Sequence, residues 1–395
     1  MSRGARLPPY TRHARGQGKV RIAGRDFYVG LYGTPESRER YERLVAEWVA
    51  QGMPKPWSGP CRVASSASGG PAVAELMLRY LPFVDGQYRK DGRPTSEVVA
   101  VKRALAYVHR LYSRVPVGDF GPLALKACRE AMVADALART TVNSYVGRIR
   151  RMFRWGTENE LVPAGVYQAL MAVAGLTRGR TVAREPERVQ PVNRARIEAV
   201  LPLVSRQVRA MIELQLLTGM RPGEVVQMRP CDLSTGGDVW RYRPESHKTQ
   251  HHGKDRVILI GPKAQLVLRP FLGSDLSAPI FSPEAAEDER HAAQRAKATA
   301  PRYDSAMVSP DESRSRLGPR YRADSYRRAI TRACEVAGVP AWHPNQLRHN
   351  AATMIRSGHG IEAARVVLGH ASVETSEIYA ERDEERAAEI MRKLG

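Results

Sequence analysis

The chain has 395 residues, more than one hydrophobic core usually serves, so two or three domains are expected and small scaffolds stapled by disulfides or metals are excluded. It carries 62 Lys and Arg against 41 Asp and Glu, a formal charge of +21 spread along the sequence, which calls for a polyanion partner without naming a chemistry. Cys61, Cys128, Cys231 and Cys334 lie far apart with no histidines at zinc-ligand spacing, and there is neither a membrane-length apolar run nor an apolar leader, so a soluble protein of a reducing cytoplasm is expected, without membrane partner, metal or cofactor.

The opening residues are basic, with Arg3, Arg6, Arg12 and Arg15 among Pro and Gly, and read either as an arm on a phosphate backbone or as a tail without structure. From Lys19 the apolar residues alternate: Val20 and Ile22, a turn at Ala23-Gly24, then Phe27, Val29 and Leu31. That pattern predicts a hairpin or three-stranded sheet. A helix follows Thr34-Pro35-Glu36-Ser37, with Tyr41, Leu44, Val45 and Trp48 at helical spacing to cover the sheet. Residues 1–57 thus form a basic first module, and the Gly-, Ser- and Pro-rich stretch 58–71 reads as a linker.

Residues 72–176 have helical periodicity and predict a second, all-helical domain. Between Thr141 and Trp155, Val142, Tyr145, Val146, Ile149, Met152 and Phe153 share one stripe, while Arg148, Arg150, Arg151 and Arg154 fall on the other face. Such a face is either solvated or offers guanidinium groups to DNA phosphates. A second linker, 177–192, precedes a third domain over 193–395. That domain is expected to open with helices Arg194–Val204 and Ser205–Leu217, pass through strands at Val239–Arg243 and Arg256–Ile260, and return to helices, with Ser282–Arg320 as a polar loop. The fold class is α+β and mainly α: a small sheet-plus-helix module, a helical domain, and a mostly helical domain with a small antiparallel sheet.

Three stretches of the third domain stand out. Thr218-Gly219-Met220-Arg221-Pro222-Gly223-Glu224-Val225 puts an arginine after a helix-ending glycine, with Pro and Glu placed to start the next helix. His247-Lys248-Thr249-Gln250 lies between the two strands, with His251, His252 and Gly253 as the expected turn. His343-Pro344-Asn345-Gln346-Leu347-Arg348-His349 is followed by a helix, then Leu368-Gly369-His370, and Tyr379 comes nine residues later.

In order and spacing these five elements resemble the tyrosine recombinases of the phage integrase family, over about Asn193 to Gly395. The resemblance implies a site-specific DNA recombinase in which Tyr379 attacks a phosphodiester, Arg221 and Arg348 clamp the nonbridging oxygens, Lys248 protonates the departing 5′ oxygen and His370 holds a nonbridging oxygen. The first module is similar to the arm-binding modules of integrases, with a structural cap as the alternative, and 72–176 to their core-binding domain. The implied partner is double-stranded DNA at attachment sites, bound as a homo-tetramer by a protein that is monomeric when free and is cytoplasmic at the nucleoid. A type IB topoisomerase and a catalytically silent DNA-binding relative are the alternatives.

One departure is plain. Asn345 stands where the family usually has histidine or lysine, and asparagine cannot exchange a proton with the tyrosine, although it can donate a hydrogen bond to phosphate. His343 and His349 flank it as possible bases or as packing residues. Glu224 reads as a support for an active-site group or as an acid at a helix N-terminus. Glu384–Leu394 reads as a terminal helix that docks on its own domain or on a neighbour.

Overall fold

The computed structural model of the chain describes residues 7–55, 57, 59, 70–90, 92–187, 189–245, 256–297 and 318–369, which divide between residues 187 and 188 into two compact units. The readings placed on Arg3, Arg6, His247, Lys248, the turn His251–Gly253, His370, Tyr379 and the terminal helix lie outside the described residues.

The first unit opens with an antiparallel sheet of β1 (Thr11–Arg12), β2 (Gln17–Ile22) and β3 (Arg25–Leu31) in sequential order. Ala23 and Gly24 both take positive φ, 49° and 87°, which is the two-residue hairpin turn whose twist suits paired strands. Helix α1 (Pro35–Ala50) starts on Thr34, whose side chain accepts the Ser37 backbone N–H, and its Val45 and Trp48 bury against Val20, Ile22 and Val29.

Five helices follow: α2 (Val73–Gln87), α3 (Ser96–Tyr112), α4 (Pro122–Ala134), α5 (Arg139–Glu158) and α6 (Ala164–Met171), with a short hairpin of β4 (Arg89–Lys90) and β5 (Arg93–Pro94) between the first two. The apolar stripe predicted on α5, from Val142 to Phe153, is buried throughout and lies in the core that these helices share. Helix α1 also packs on α3 and α4, where Tyr112 donates to Glu47 at 3.1 Å and Arg114 pairs with Glu36 at 2.8 Å. The sheet module and the helical bundle therefore belong to one compact unit.

The second unit contains α7 (Arg194–Val200), α8 (Arg206–Thr218), α9 (Pro222–Val226), a sheet of β6 (Leu233–Ser234), β7 (Trp240–Tyr242) and β8 (Ile258–Ile260), then α10 (Pro262–Leu268), α11 (Pro283–Lys297), α12 (Ala323–Ala337) and α13 (Asn345–Leu368). The pairing Trp240↔Ile260 and Tyr242↔Ile258 makes β7 and β8 antiparallel neighbours, as expected for these two strands. Helix α8 lies centrally, touching α9, α10 and α13. Inside α13, Gly360 takes φ 88° and breaks the helix in two.

The stretch from Ser282 differs from the expected polar loop, because Pro283–Lys297 is a helix. It carries its own local support: Ser282 Oγ accepts the Glu284 and Ala285 N–H groups, and Glu287 pairs with Arg290 and His291 one turn on. Its apolar residues are all alanine, with Ala286 the buried one, so no large side chain marks a face for the core and the sequence pattern misses such a helix.

The stretch expected to link the helical domain to the third domain divides between the two units. Its first half is fastened to α5, where the Arg139 backbone N–H donates to the Arg184 carbonyl at 2.9 Å and the Arg139 side chain pairs with Glu185, while Asn143 holds both the N–H and the carbonyl of Leu176 just before it. Its second half is fastened to α13, where Asn350 brackets Val192 at 2.8 and 2.7 Å and Gln346 donates to the Gln190 carbonyl.

Candidate active site

Helix α8 ends at Gly219, whose φ of 66° is the left-handed conformation that closes a helix and frees the next residues to turn. The following loop is pinned from inside: Gln215 Nε2 donates to the Met220 carbonyl at 2.9 Å, and the Thr218 hydroxyl accepts the Met220 N–H. Arg221 is then the N-cap of α9. Its backbone N–H donates to Glu224 Oε2 at 2.7 Å and its Nη1 to Glu224 Oε1 at 2.8 Å, so one carboxylate caps the helix and aims the guanidinium. Tyr242 on β7 donates to the Glu224 carbonyl at 2.7 Å and ties this turn to the sheet.

Arg348 comes from α13, 127 positions later in the sequence, and is 2% exposed. Its Nη1 donates to the Gly219 carbonyl at 2.6 Å and its Nη2 to the Leu368 carbonyl at 2.8 Å. One buried guanidinium thus joins the loop before Arg221 to the corner before His370. The two segments also touch directly, because a Cβ on Gly219 would overlap the Leu368 side chain.

A third guanidinium enters here. Arg256, two residues before β8 and 7% exposed, places Nε 3.4 Å from Glu224 Oε1, and a Cβ on Gly369 would overlap its Nη1. Burial alone would raise the Glu224 carboxyl, but Arg256, the Arg221 backbone N–H and the Arg221 guanidinium outweigh it and hold Glu224 below the usual carboxylate range. Burial pushes Arg256 down, partly offset by Glu224. Arg221 and Arg256 therefore share one carboxylate, and with Arg348 held on the Gly219 and Leu368 carbonyls the corner carries three guanidiniums against one acid, a surplus of two positive charges. Arg221, with a quarter of its side chain exposed, is the most open of them.

Asn345 is exposed on the first turn of α13, and His343 is exposed before it, its N–H donating to Gln346 Oε1 at 3.0 Å. His349 is buried. Burial, then the charges of Arg348 and His343, lower its imidazole below the ordinary value, which keeps it neutral near pH 7. The structure thus brings Arg221, Glu224 and Arg348 together, sets His349 beside Arg348 in the chain, and leaves Asn345 and His343 at the surface.

Residues 197–386 match the family model described as the phage integrase family. Over these residues the chain belongs to the tyrosine recombinases of the phage integrase family. It is 27% identical to tyrosine recombinase XerD of Ralstonia nicotianae over 80% of this chain and 92% of that one. Among solved structures, a lambda integrase tetramer bound to a Holliday junction matches with TM-score 0.57 at 15% identity over 96% of this chain and 97% of that one. A Tn1549 transposon integrase in complex with transposon right-end DNA matches with TM-score 0.55 at 14% identity, over 82% of this chain and 99% of that one. At such identities these two likenesses speak for the fold, mainly helical with small antiparallel sheets.

The enzyme is accordingly a tyrosine site-specific recombinase, and its α5 arginines have partners within their own unit. Arg148 and Arg151 both pair with Glu97 on α3 at 2.6 Å, Arg154 pairs with Glu158 at 2.8 Å, and Arg150 donates to the Val173 carbonyl. Glu97 lies 51 positions before Arg148, so inspection of the helix alone finds no partner for Arg148 and Arg151, whereas the partner of Arg154, Glu158, lies one turn on in the same helix. The role of Arg256 is hidden in the sequence for a related reason: a lone arginine at the first residue of an expected strand carries no signal. Its burial against Glu224 and Gly369 is visible only in three dimensions. Among the described residues no helix of the recombinase is long and apolar enough to cross a membrane.

Proposed function

We propose that the recombinase cuts and rejoins double-stranded DNA through a 3′-phosphotyrosyl bond to Tyr379, integrating or excising a mobile element. The observation that carries this reading is the joining of Arg221, Glu224 and Arg348 at the Leu368-Gly369 corner, one residue before His370 and ten before Tyr379. A phosphodiester bears one negative charge and its pentacoordinate transition state about two, so a corner with two surplus positive charges favours the transition state over the ground state.

In the proposed step the Tyr379 phenol gives its proton to solvent water and its oxygen bonds to phosphorus, the bond from phosphorus to the 5′ oxygen breaks, and Lys248 gives that oxygen its proton. One phosphoester is exchanged for another, and the phenolate, with a pKa of about 10, leaves readily when the 5′ hydroxyl attacks in reverse. Arg221 and Arg348 neutralise the nonbridging oxygens and His370 donates to one of them; Asn345, exposed at the start of α13, adds a hydrogen-bond donor to phosphate. Glu224 orients Arg221. The match to lambda integrase reaches 96% of the chain and so takes in the N-terminal sheet and helix, which supports an arm-binding role for residues 1–57 beside a core-binding role for 72–176. The same likeness, to a tetramer on a Holliday junction, supports four protomers acting on two duplexes.

The test is a nicked suicide duplex carrying the junction sequence from the end of the element that encodes the protein. An adduct stable to denaturant is expected from the unmodified enzyme and none from Tyr379→Phe. Absence of adduct with intact DNA binding would identify a silent binder. Adduct with plasmid relaxation but no exchange between paired sites would identify a topoisomerase.

A further inference from the structure

We infer that Arg256 is a positioning residue of the active site, acting through Glu224 on Arg221 and through Gly369 on the corner that leads to His370. The inference rests on the reading above of Arg221 and His370 as phosphate-binding groups.

Three observations carry it. Arg256 is buried, which for a guanidinium is unfavourable unless an anion or well-placed acceptors compensate. The acid beside it is Glu224, whose Oε1 lies 3.4 Å from its Nε and is the same oxygen that accepts Arg221 Nη1 at 2.8 Å. Glu224 is thus held between two cations, and the position of its carboxylate sets the direction in which Arg221 points. Finally, Nη1 of Arg256 fills the space where a side chain at residue 369 would stand, and Gly369 has φ 65°. The glycine is required twice over, for its backbone conformation and for the guanidinium that lies against it.

Arg256 therefore braces a corner that Arg348 already grips through the Leu368 carbonyl at 2.8 Å. The two guanidiniums hold adjacent residues, Leu368 and Gly369, from different elements. Nε and Nη2 of Arg256 have no hydrogen-bond partner among the described residues, so the contact with Glu224 is an ion pair, not a fixed fork, and the carboxylate can follow Arg221 as it closes on a phosphate.

The test uses the full chain and two readouts. Without DNA, urea denaturation of the unmodified protein, Arg256→Met and Arg256→Lys is followed from pH 7 to pH 3. The Arg256 guanidinium, 3.4 Å from Glu224 Oε1, is one of the two that hold Glu224 down, so Arg256→Met is expected to lose stability at a higher pH on the acid side, and Arg256→Lys to recover most of the shift. Superimposable acid profiles for Arg256→Met and the unmodified protein would overturn the inference. With the nicked junction duplex, Arg256→Met is expected to form adduct about 10- to 100-fold more slowly at saturating DNA, the range typical of residues that orient a reacting group through another, with DNA affinity changed less than about threefold. Arg256→Lys is expected to lie between, and Arg295→Met, an exposed arginine on α11, to match the unmodified rate. An unchanged rate in Arg256→Met, or a loss confined to affinity, refutes the positioning role. If the unmodified protein forms no adduct, the recombination reading fails by that result, and the acid profile alone decides whether Arg256 holds Glu224.

Discussion

Glu224 does two jobs with one carboxylate, capping α9 and aiming Arg221, and both depend on its staying ionised while buried. A carboxyl held below its ordinary value contributes stability that is present above about pH 4.3 and is lost as pH falls through the lower folded value. Glu224→Gln is therefore expected to be less stable than the unmodified protein at pH 7 and to show a shallower decline on acidification, read from urea midpoints at each pH. Arg348 acts differently, because its two terminal nitrogens satisfy the Gly219 and Leu368 carbonyls. Arg348→Ala should cost on the order of 3 kcal/mol, since buried acceptors are left without donors. Arg348→Lys should cost less but still abolish adduct formation, because an ammonium cannot reach both carbonyls and a phosphate in fork geometry. The arginines, the asparagine departure and the acid three residues after Arg221 were all legible in the sequence, as types at a spacing. The contribution of Arg256 was not, because no spacing rule links a pre-strand arginine to a helix-capping glutamate 32 positions earlier.

At the scale of elements, close approach is what holds the site. Helices α8 and α13 meet where Gly219 faces Leu368, and with φ at 66° the position favours glycine on backbone grounds as well. Gly219→Ala should destabilise the unit by roughly 1–3 kcal/mol in urea denaturation, and adding Leu368→Ala should remove part of that loss, since the two side chains would compete for one space. Helix α5 shows the converse case, in which a basic face predicted to meet phosphates is partly neutralised from α3. Glu97→Ala is expected to loosen α3 from α5 and steepen the salt dependence of DNA binding by freeing Arg148 and Arg151. Arg154→Ala, at a position 63% exposed, should leave stability unchanged and lower the salt slope by about 1 if that side chain contacts a phosphate. Elements with large apolar side chains at helical spacing, α1, α5 and α8, match the expected spans to within about three residues, whereas α11 differs from the expected loop because polar side chains and local ion pairs support it and no buried stripe does.

For the whole molecule, the charge of +21 should make DNA affinity fall steeply with salt, with log Kd rising linearly in log salt concentration over 50–200 mM. A shallow slope in a filter-binding or anisotropy titration would count against DNA as the main polyanion. The expected interdomain stretch divides its anchors, Leu176 and Glu185 to the first unit, Val192 and Gln190 to the second, so the units are bounded by hydrogen bonds, not by composition alone. By itself the sequence determined the family, the order of the functional motifs and the α+β character, because these depend on residue type and on local period. Tertiary structure decided which charges meet: that Glu97 quiets two of the α5 arginines, that Arg348 is a buried brace as well as a candidate clamp, and that Arg256 joins the cluster. The reason is physical. A charge is described by its surroundings, and the groups that neutralise Arg148 and Arg151, hold Arg348 and pair with Arg256 come from segments tens of residues away, where no local pattern reaches.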